Sequence, residues 1–106
     1  MHLSVEDLKT FSQRGGLRFG TMNATWPFAS LTANPNSIWI SCFGFKLQYP
    51  KTAISSLRLY RASISTGLLI EHEIEWRPRF IVFWTFNFKQ LAENLERLGY
   101  RVAGGA

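Results

Sequence analysis

An apolar segment followed directly by a helix with both ends marked constrains this fold most. Residues 80–84 read Phe-Ile-Val-Phe-Trp, an apolar run typical of a buried strand. Over residues 88–98 the apolar side chains recur at steps of three and four, which predicts one apolar stripe on a helix. Asn87 and Gln90 have the spacing of a reciprocal capping box, and Gly99 follows the stripe where glycine commonly ends a helix. A helix of about three turns is marginal alone in water, so the stripe must pack on the strands.

Short predicted strands, separated by turn signals, fill the chain before this unit. Alternating or continuous apolar runs predict seven strands, at residues 17–22, 26–33, 38–43, 45–49, 54–61, 68–74 and 80–84. Residues 23–25 and 34–36 are predicted turns, and Gly44 permits a tight reversal. A helical turn over residues 4–11 is predicted to end at residues 14–16, Arg-Gly-Gly. Strands this short favour an antiparallel barrel or sandwich, so we expect a mainly β fold with one C-terminal helix.

The length and composition fit one domain over residues 1–106. The chain is 46% hydrophobic, enough to bury roughly two-thirds of its unfolded surface. We expect an N-terminal segment at residues 1–14, strands over 17–86, a capping helix at 88–98 and a frayed tail at 103–106.

No feature of the sequence predicts export or a membrane span. Residues 1–7 have neither a basic start nor an apolar run, and no segment approaches roughly 18 consecutive apolar residues. Cys42 is the single cysteine, which excludes an internal disulfide and agrees with a reducing compartment. These features predict a cytoplasmic protein, either free or peripheral to a membrane.

No group of residues has the arrangement that catalysis needs. His72 lies among Glu71, Glu73 and Glu75, but strand alternation places the histidine and the three carboxylates on opposite faces. Cys42 lies in an apolar strand with no histidine near it in the sequence to activate it. The sequence also contains no glycine-rich phosphate loop and no nucleophile elbow. We therefore expect no enzyme activity, no cofactor, no metal site and no small-molecule substrate.

Basic and aromatic residues that alternate could in principle bind a single-stranded nucleic acid. Such residues are Arg58, Tyr60, Trp76, Arg77 and Arg79. However, Arg77 and Arg79 flank a proline, as in a solvated turn, and the sequence contains no run of basic residues. Nucleic-acid binding is therefore disfavoured.

The predicted strand at residues 80–84 is apolar on both faces. Ile81 and Phe83 lie opposite Phe80, Val82 and Trp84. The outside of a barrel with one layer normally faces water, so a second apolar face must be covered. We expect Ile81 and Phe83 to form a partner face, with a second copy, a partner groove or the N-terminal segment as the alternative covers.

The order of elements resembles the pleckstrin-homology-like superfamily, and specifically a bacterial or GRAM-type member. The residues that carry the resemblance are the strand at 45–49, Pro50-Lys51, residues 54–57, residues 67–70, and the final strand with its capped helix. The resemblance implies a strongly bent barrel of seven antiparallel strands with the helix closing one end. In phosphoinositide-binding members, Lys and Arg cluster around the first hairpin; Arg14 and Arg18 match, whereas residues 21–27 contain no basic residue.

Together these features predict a non-enzymatic binding module. The preferred partner is a protein or peptide, or another copy of the chain in a homo-oligomer, because the predicted strands have surplus apolar surface. The alternative is weak binding to anionic phospholipid membranes through Arg14, Arg18, Lys46 and Lys51, which the net charge of +5 favours.

Overall fold

The computed structural model describes residues 10–104, which form a mainly β structure with one α-helix. The strands are β1 (Phe11–Phe19), β2 (Met22–Asn34), β3 (Ser37–Cys42), β4 (Phe45–Pro50), β5 (Ile54–Arg61), β6 (Thr66–His72), β7 (Ile81–Trp84) and β8 (Val102–Ala103). The helix, α1, spans Phe88–Arg97, and a single 3-10 turn at Lys51–Ala53 joins β4 to β5. The predicted turn over residues 4–11 lies outside the described residues except for its end, where Phe11 begins β1.

All eight strands belong to one mixed sheet in the order β4-β3-β2-β1-β7-β6-β5-β8. Two antiparallel meanders, β1 to β4 and β5 to β7, meet where β1 pairs with β7. The expectation of seven antiparallel strands in a bent barrel or sandwich is wrong in the number of strands and in their direction, and the sheet is not closed. Val102, expected to lie just before a frayed tail, pairs in parallel with Leu57 of β5, and β4 and β8 remain as open edges.

Two consecutive glycines lie inside β1, where the sequence predicted the end of a helical turn. The register of β1 against β2 shifts between Gly15 and Leu17. A side chain on Gly15 would collide with the Trp84 carbonyl oxygen and lie 2.6 Å from Cζ of Phe83. Residues 14–16 therefore continue the strand, because glycine lets β7 approach the β1 backbone closely.

The first hairpin also differs from the prediction. Its turn is at Gly20 and Thr21, with Gly20 at φ 63°, so residues 23–25 belong to β2 instead of forming a turn. Ala24 is opposite Leu17 and Ala29 is opposite Gly15, so residues 25–28 bulge out of the ladder. A bulge turns side chains away from the pleat alternation, and here it leaves two aromatic side chains in solvent.

Several other sequence predictions are confirmed. At the predicted turn over residues 34–36, Asn34 Oδ1 accepts hydrogen bonds from the backbone N–H groups of Asn36 and Ser37. Phe43 and Gly44, both at positive φ, form the two-residue turn between β3 and β4. The bounds of β5 agree with the prediction, whereas β6 begins and ends two residues earlier than expected.

The helix is capped at both ends, although only half of the predicted capping box forms. Asn87 Oδ1 accepts from the Gln90 N–H at 3.1 Å. The reciprocal bond is replaced, because the Asn87 N–H donates to Thr85 Oγ1 at 2.9 Å and Gln90 Oε1 accepts from Gln13. At the C-terminal end Gly99 adopts φ 101°, and the N–H of Tyr100 donates to the Leu95 carbonyl, which is the Schellman arrangement.

The core lies between α1 and the inner face of the sheet. Leu91 and Leu95 of the helix are fully buried with Ile81 and Phe83 of β7. The Tyr100 hydroxyl donates to the Asn34 carbonyl at 2.7 Å and holds the end of the helix against the β2–β3 turn. Burial raises the pKa of Tyr100 to about 12, so this hydroxyl keeps its proton at neutral pH.

Leu95→Asp is expected to lower the free energy of unfolding by about 3 kcal/mol or more, because it places a carboxylate in the core without a partner. Leu95 has no solvent-exposed surface. Urea denaturation measures the change, and Glu93→Asp, on the exposed side of the same helix, is the matched control. An unchanged midpoint for Leu95→Asp would refute the packing of α1 on the sheet.

Gly15→Ala is expected to cost about 1–3 kcal/mol, because the added methyl group meets the Trp84 carbonyl oxygen and the Phe83 ring. Gly44→Asn is the control: no heavy atom lies within 4 Å of the added Cβ, and asparagine tolerates positive φ. Thermal unfolding compares the two variants. Equal stability of both would contradict the close approach of β7 to β1.

Candidate functional site: an aromatic groove

His72, the one histidine considered as a catalytic candidate, is a structural residue of the core. It is 2% exposed, its Nδ1 accepts from the Ile74 N–H at 3.1 Å, and its Nε2 lies 2.9 Å from the Pro78 carbonyl. Because Nδ1 must be an acceptor, the proton is on Nε2 and is donated to Pro78. The Tyr49 ring covers the imidazole at a centroid distance of 5.0 Å. Both nitrogens are occupied, so neither is available to a substrate.

The glutamates around His72 do not converge on it. Glu71 accepts hydrogen bonds from the Ser56 hydroxyl and from Arg58 on the neighbouring strand β5. Glu73 and Glu75 are exposed in the β6–β7 connection. Within residues 10–104, no three histidine, cysteine or acidic side chains are grouped as metal ligands would be.

Cys42 is 3% exposed on the inner face of β3, as predicted for a small core residue. Burial raises the pKa of its thiol, which lowers the fraction of reactive thiolate.

The partner face predicted at Ile81 and Phe83 is not on the surface. Both side chains are fully buried in the core that α1 covers, so no partner can reach them. The opposite face of β7 is covered too: Val82 is fully buried, and the Tyr60 ring lies 5.3 Å from Phe80 and 5.9 Å from Trp84 between ring centroids. The second apolar face is thus covered by an aromatic layer on the outside of the sheet. The N-terminal segment, one of the three expected covers, lies outside the described residues up to residue 9.

Each of the four basic residues of the membrane alternative contacts a different part of the fold. Arg14 donates to the Pro27 carbonyl, and Arg18 donates to the Gly20 carbonyl. The Lys46 ammonium lies over Trp39, whereas the Lys51 ammonium lies over Tyr100 after the end of α1.

The residues weighed for nucleic-acid binding are mostly engaged within the fold. Arg77 donates to the Gln48 carbonyl and lies over the Tyr49 ring, and Arg79 donates to the His72 carbonyl. Arg58 pairs with Glu71 at 3.3 Å. Trp76 is 83% exposed in the β6–β7 connection.

A groove with a volume of about 730 Å³ lies where the outer aromatic layer meets the β2 bulge. Its walls are the bulge, the β5–β6 turn and the β7–α1 junction, and its lining residues are Arg18, Asn23, Thr25, Trp26, Ala62, Ile64, Ser65, Thr66, Trp84, Thr85, Phe86 and Phe88. Ile64 is 97% exposed, Phe86 is 86% exposed and Trp26 is 49% exposed. Large apolar side chains from the β2 bulge and from two connections therefore surround one concavity.

Local contacts hold the groove in shape. The Trp26 and Phe86 rings meet edge to face with centroids 5.7 Å apart. The Trp84 indole N–H donates to Asn23 Oδ1 at 3.2 Å, and Thr85 Oγ1 donates to Gln13. Outside the groove, Phe28 on the same bulge stacks on Phe43 at 5.8 Å and extends the exposed aromatic surface.

The sequence reasoning missed this groove, although two signals were present. Ile64 is a large apolar residue between two serines in a predicted loop. Packing in the core does not explain a large apolar side chain at this position. Phe86 directly precedes the N-cap Asn87, outside both the strand and the apolar stripe of the helix. The bulge that turns Trp26 outward had no comparable signal.

No family model, curated protein or solved structure matches this chain. None of the helical segments within residues 10–104 has the length and apolar character needed to cross a membrane. The geometry of the groove therefore carries the functional argument.

His72→Leu is expected to lower the free energy of unfolding by about 1–3 kcal/mol, because it removes both hydrogen bonds of the ring and leaves the buried Ile74 N–H without its acceptor. Chemical denaturation measures the loss, with Glu73→Gln, one residue away and exposed, as the control. A His72→Leu protein as stable as the wild type would show that these two bonds do not hold the β6–β7 connection.

Proposed function

We propose that this chain is a non-enzymatic binding module that docks a protein or peptide partner in the aromatic groove. The observation that carries the proposal is the concave surface lined by Trp26, Ile64, Phe86 and Phe88. Exposed apolar side chains gathered around one cavity are typical of recognition surfaces, and aromatic residues are enriched where partners bind. The proposed partner surface is therefore this groove on the outer face of the sheet. It replaces the surface expected at Ile81 and Phe83, which are buried.

A pleckstrin-homology-like fold remains part of this proposal. Two antiparallel meanders followed by a C-terminal helix support it. The parallel strand β8 and the unclosed sheet depart from it. The proposed function does not depend on the family, because it rests on the groove and not on the fold.

The absence of catalysis is proposed on positive grounds. The ring nitrogens of His72 are both hydrogen-bonded, and the Cys42 thiol is buried in an apolar strand. A turnover that His72→Gln or Cys42→Ala abolishes without unfolding the protein would refute this part.

The groove is tested by titration with the fluorescent apolar dye anilinonaphthalene sulfonate. The double variant Ile64→Ser/Phe86→Ser removes two large apolar side chains from the groove lining. It should weaken dye binding by about tenfold, a loss of 1.4 kcal/mol of binding free energy. Both side chains are largely exposed, so we expect the melting temperature to stay within a few degrees.

Trp76→Ser is the matched control, since it removes an equally exposed aromatic side chain outside the groove. Equal dye binding by wild type and double variant would refute docking in the groove. Light scattering across protein concentration decides the kind of partner: a dimer that the double variant dissociates identifies a second copy, and a monomer indicates a different protein.

A further inference from the structure

Four basic residues lie in the groove lining or next to lining residues in the chain or through a hydrogen bond. Arg18 is one of the lining residues. Arg14 donates to the carbonyl of Pro27, next to Trp26 in the β2 bulge, and the exposed Arg61 directly precedes the β5–β6 turn. Lys89 is exposed in the first turn of α1, next to the lining residue Phe88.

Within residues 10–104, no acidic side chain lines the groove. The sequence contains no Asp or Glu from residue 8 to residue 70. The acidic residues within the described part are Glu71, Glu73, Glu75, Glu93 and Glu96, and none of them lines the groove. Glu71 is paired with Arg58, and Glu96 accepts from the Val102 N–H at the far end of α1.

The helix adds to the positive potential. α1 begins at Phe88, inside the groove wall, and its first turn carries no acidic residue. The N-terminus of a helix carries a partial positive charge, so the start of α1 at the lining residue Phe88 adds positive potential next to the groove.

The polar lining favours a peptide over a bilayer surface. Asn23, Thr25, Ser65 and Thr66 stand in the walls between the aromatic side chains. Hydroxyl and amide groups can form hydrogen bonds with the backbone of a bound chain, whereas acyl chains offer no partner for them.

From these features we infer that the groove binds an acidic peptide segment of another protein, with one large apolar side chain as its anchor. The anchor packs against the Trp26–Phe86 ring pair and Ile64. The flanking carboxylates face Arg14, Arg18, Arg61 and Lys89. This inference deepens the proposed function and rests on it. Opposite charges on the two partners add specificity and speed the encounter.

A random library of twelve-residue peptides displayed on phage tests the inference. The library is selected on the immobilised full chain, on Ile64→Ser/Phe86→Ser and on the Trp76→Ser control. We expect wild type and control to enrich peptides with Asp or Glu beside an aromatic or aliphatic residue, and the double variant to lose them.

A selected synthetic peptide then measures the charge contribution by fluorescence anisotropy. Arg14→Gln/Arg61→Gln should weaken its binding about tenfold or more at low salt, and 0.5 M salt should largely remove the difference. Arg97→Gln/Arg101→Gln changes the net charge equally at the other end of α1 and should leave the affinity unchanged.

The outcomes separate the two proposals. Groove-dependent peptides without an acidic preference would overturn the inference and leave the proposed function standing. Failure to enrich any peptide that depends on Ile64 and Phe86 would overturn both. Sedimentation with phosphatidylcholine vesicles containing phosphatidylserine, lost in Arg14→Gln/Arg61→Gln, would identify an anionic bilayer as the ligand and likewise overturn the peptide inference.

Discussion

Burial of β7 on both faces is the constraint on which the rest of the structure depends. The inner face, Ile81 and Phe83, packs under α1, whereas Val82 on the outer face is fully buried beneath aromatic rings. The backbones of the two neighbouring strands, β1 and β6, also approach β7 closely. Gly15 and Gly67 provide this, because a side chain on either residue would collide with β7. The fold is thus held by two apolar layers that share one short strand.

The groove follows from the way in which the outer layer ends. Trp84 is the last residue of β7, and Phe86 and Phe88 continue toward the helix after the ladder has stopped. On the other side, the β2 bulge turns Trp26 toward Phe86 instead of into the core. The aromatic layer therefore opens into a concavity at its edge. A surface of this kind forms from apolar packing and does not require a cluster of functional polar side chains.

Periodicity in the sequence predicted the elements whose environment is simple. The helix, the turn at residues 34–36, the reversal at Gly44 and β5 all follow local rules for caps, turns and alternation. Local rules failed at Gly15 and Gly16, because two consecutive glycines predict a break. Their place in a strand depends on close approaches from other strands, β7 at Gly15 and the β2 bulge at Gly16. Local rules also failed at residues 102–103, where pairing with β5 depends on how α1 returns the chain to the sheet edge.

The position of the groove could not be predicted from the sequence for a related reason. Alternation correctly assigned Ile81 and Phe83 to one face of a doubly apolar strand, but it does not say which face the helix covers. That choice is made by long-range packing, since the Leu17 side chain opposite Phe83 and the α1 leucines occupy the same side. Once the helix takes that side, the aromatic residues of the other face must cover themselves. Tyr60, Phe80 and Trp84 do so over Val82, and Trp26, Ile64 and Phe86, beyond their reach, remain exposed around the groove.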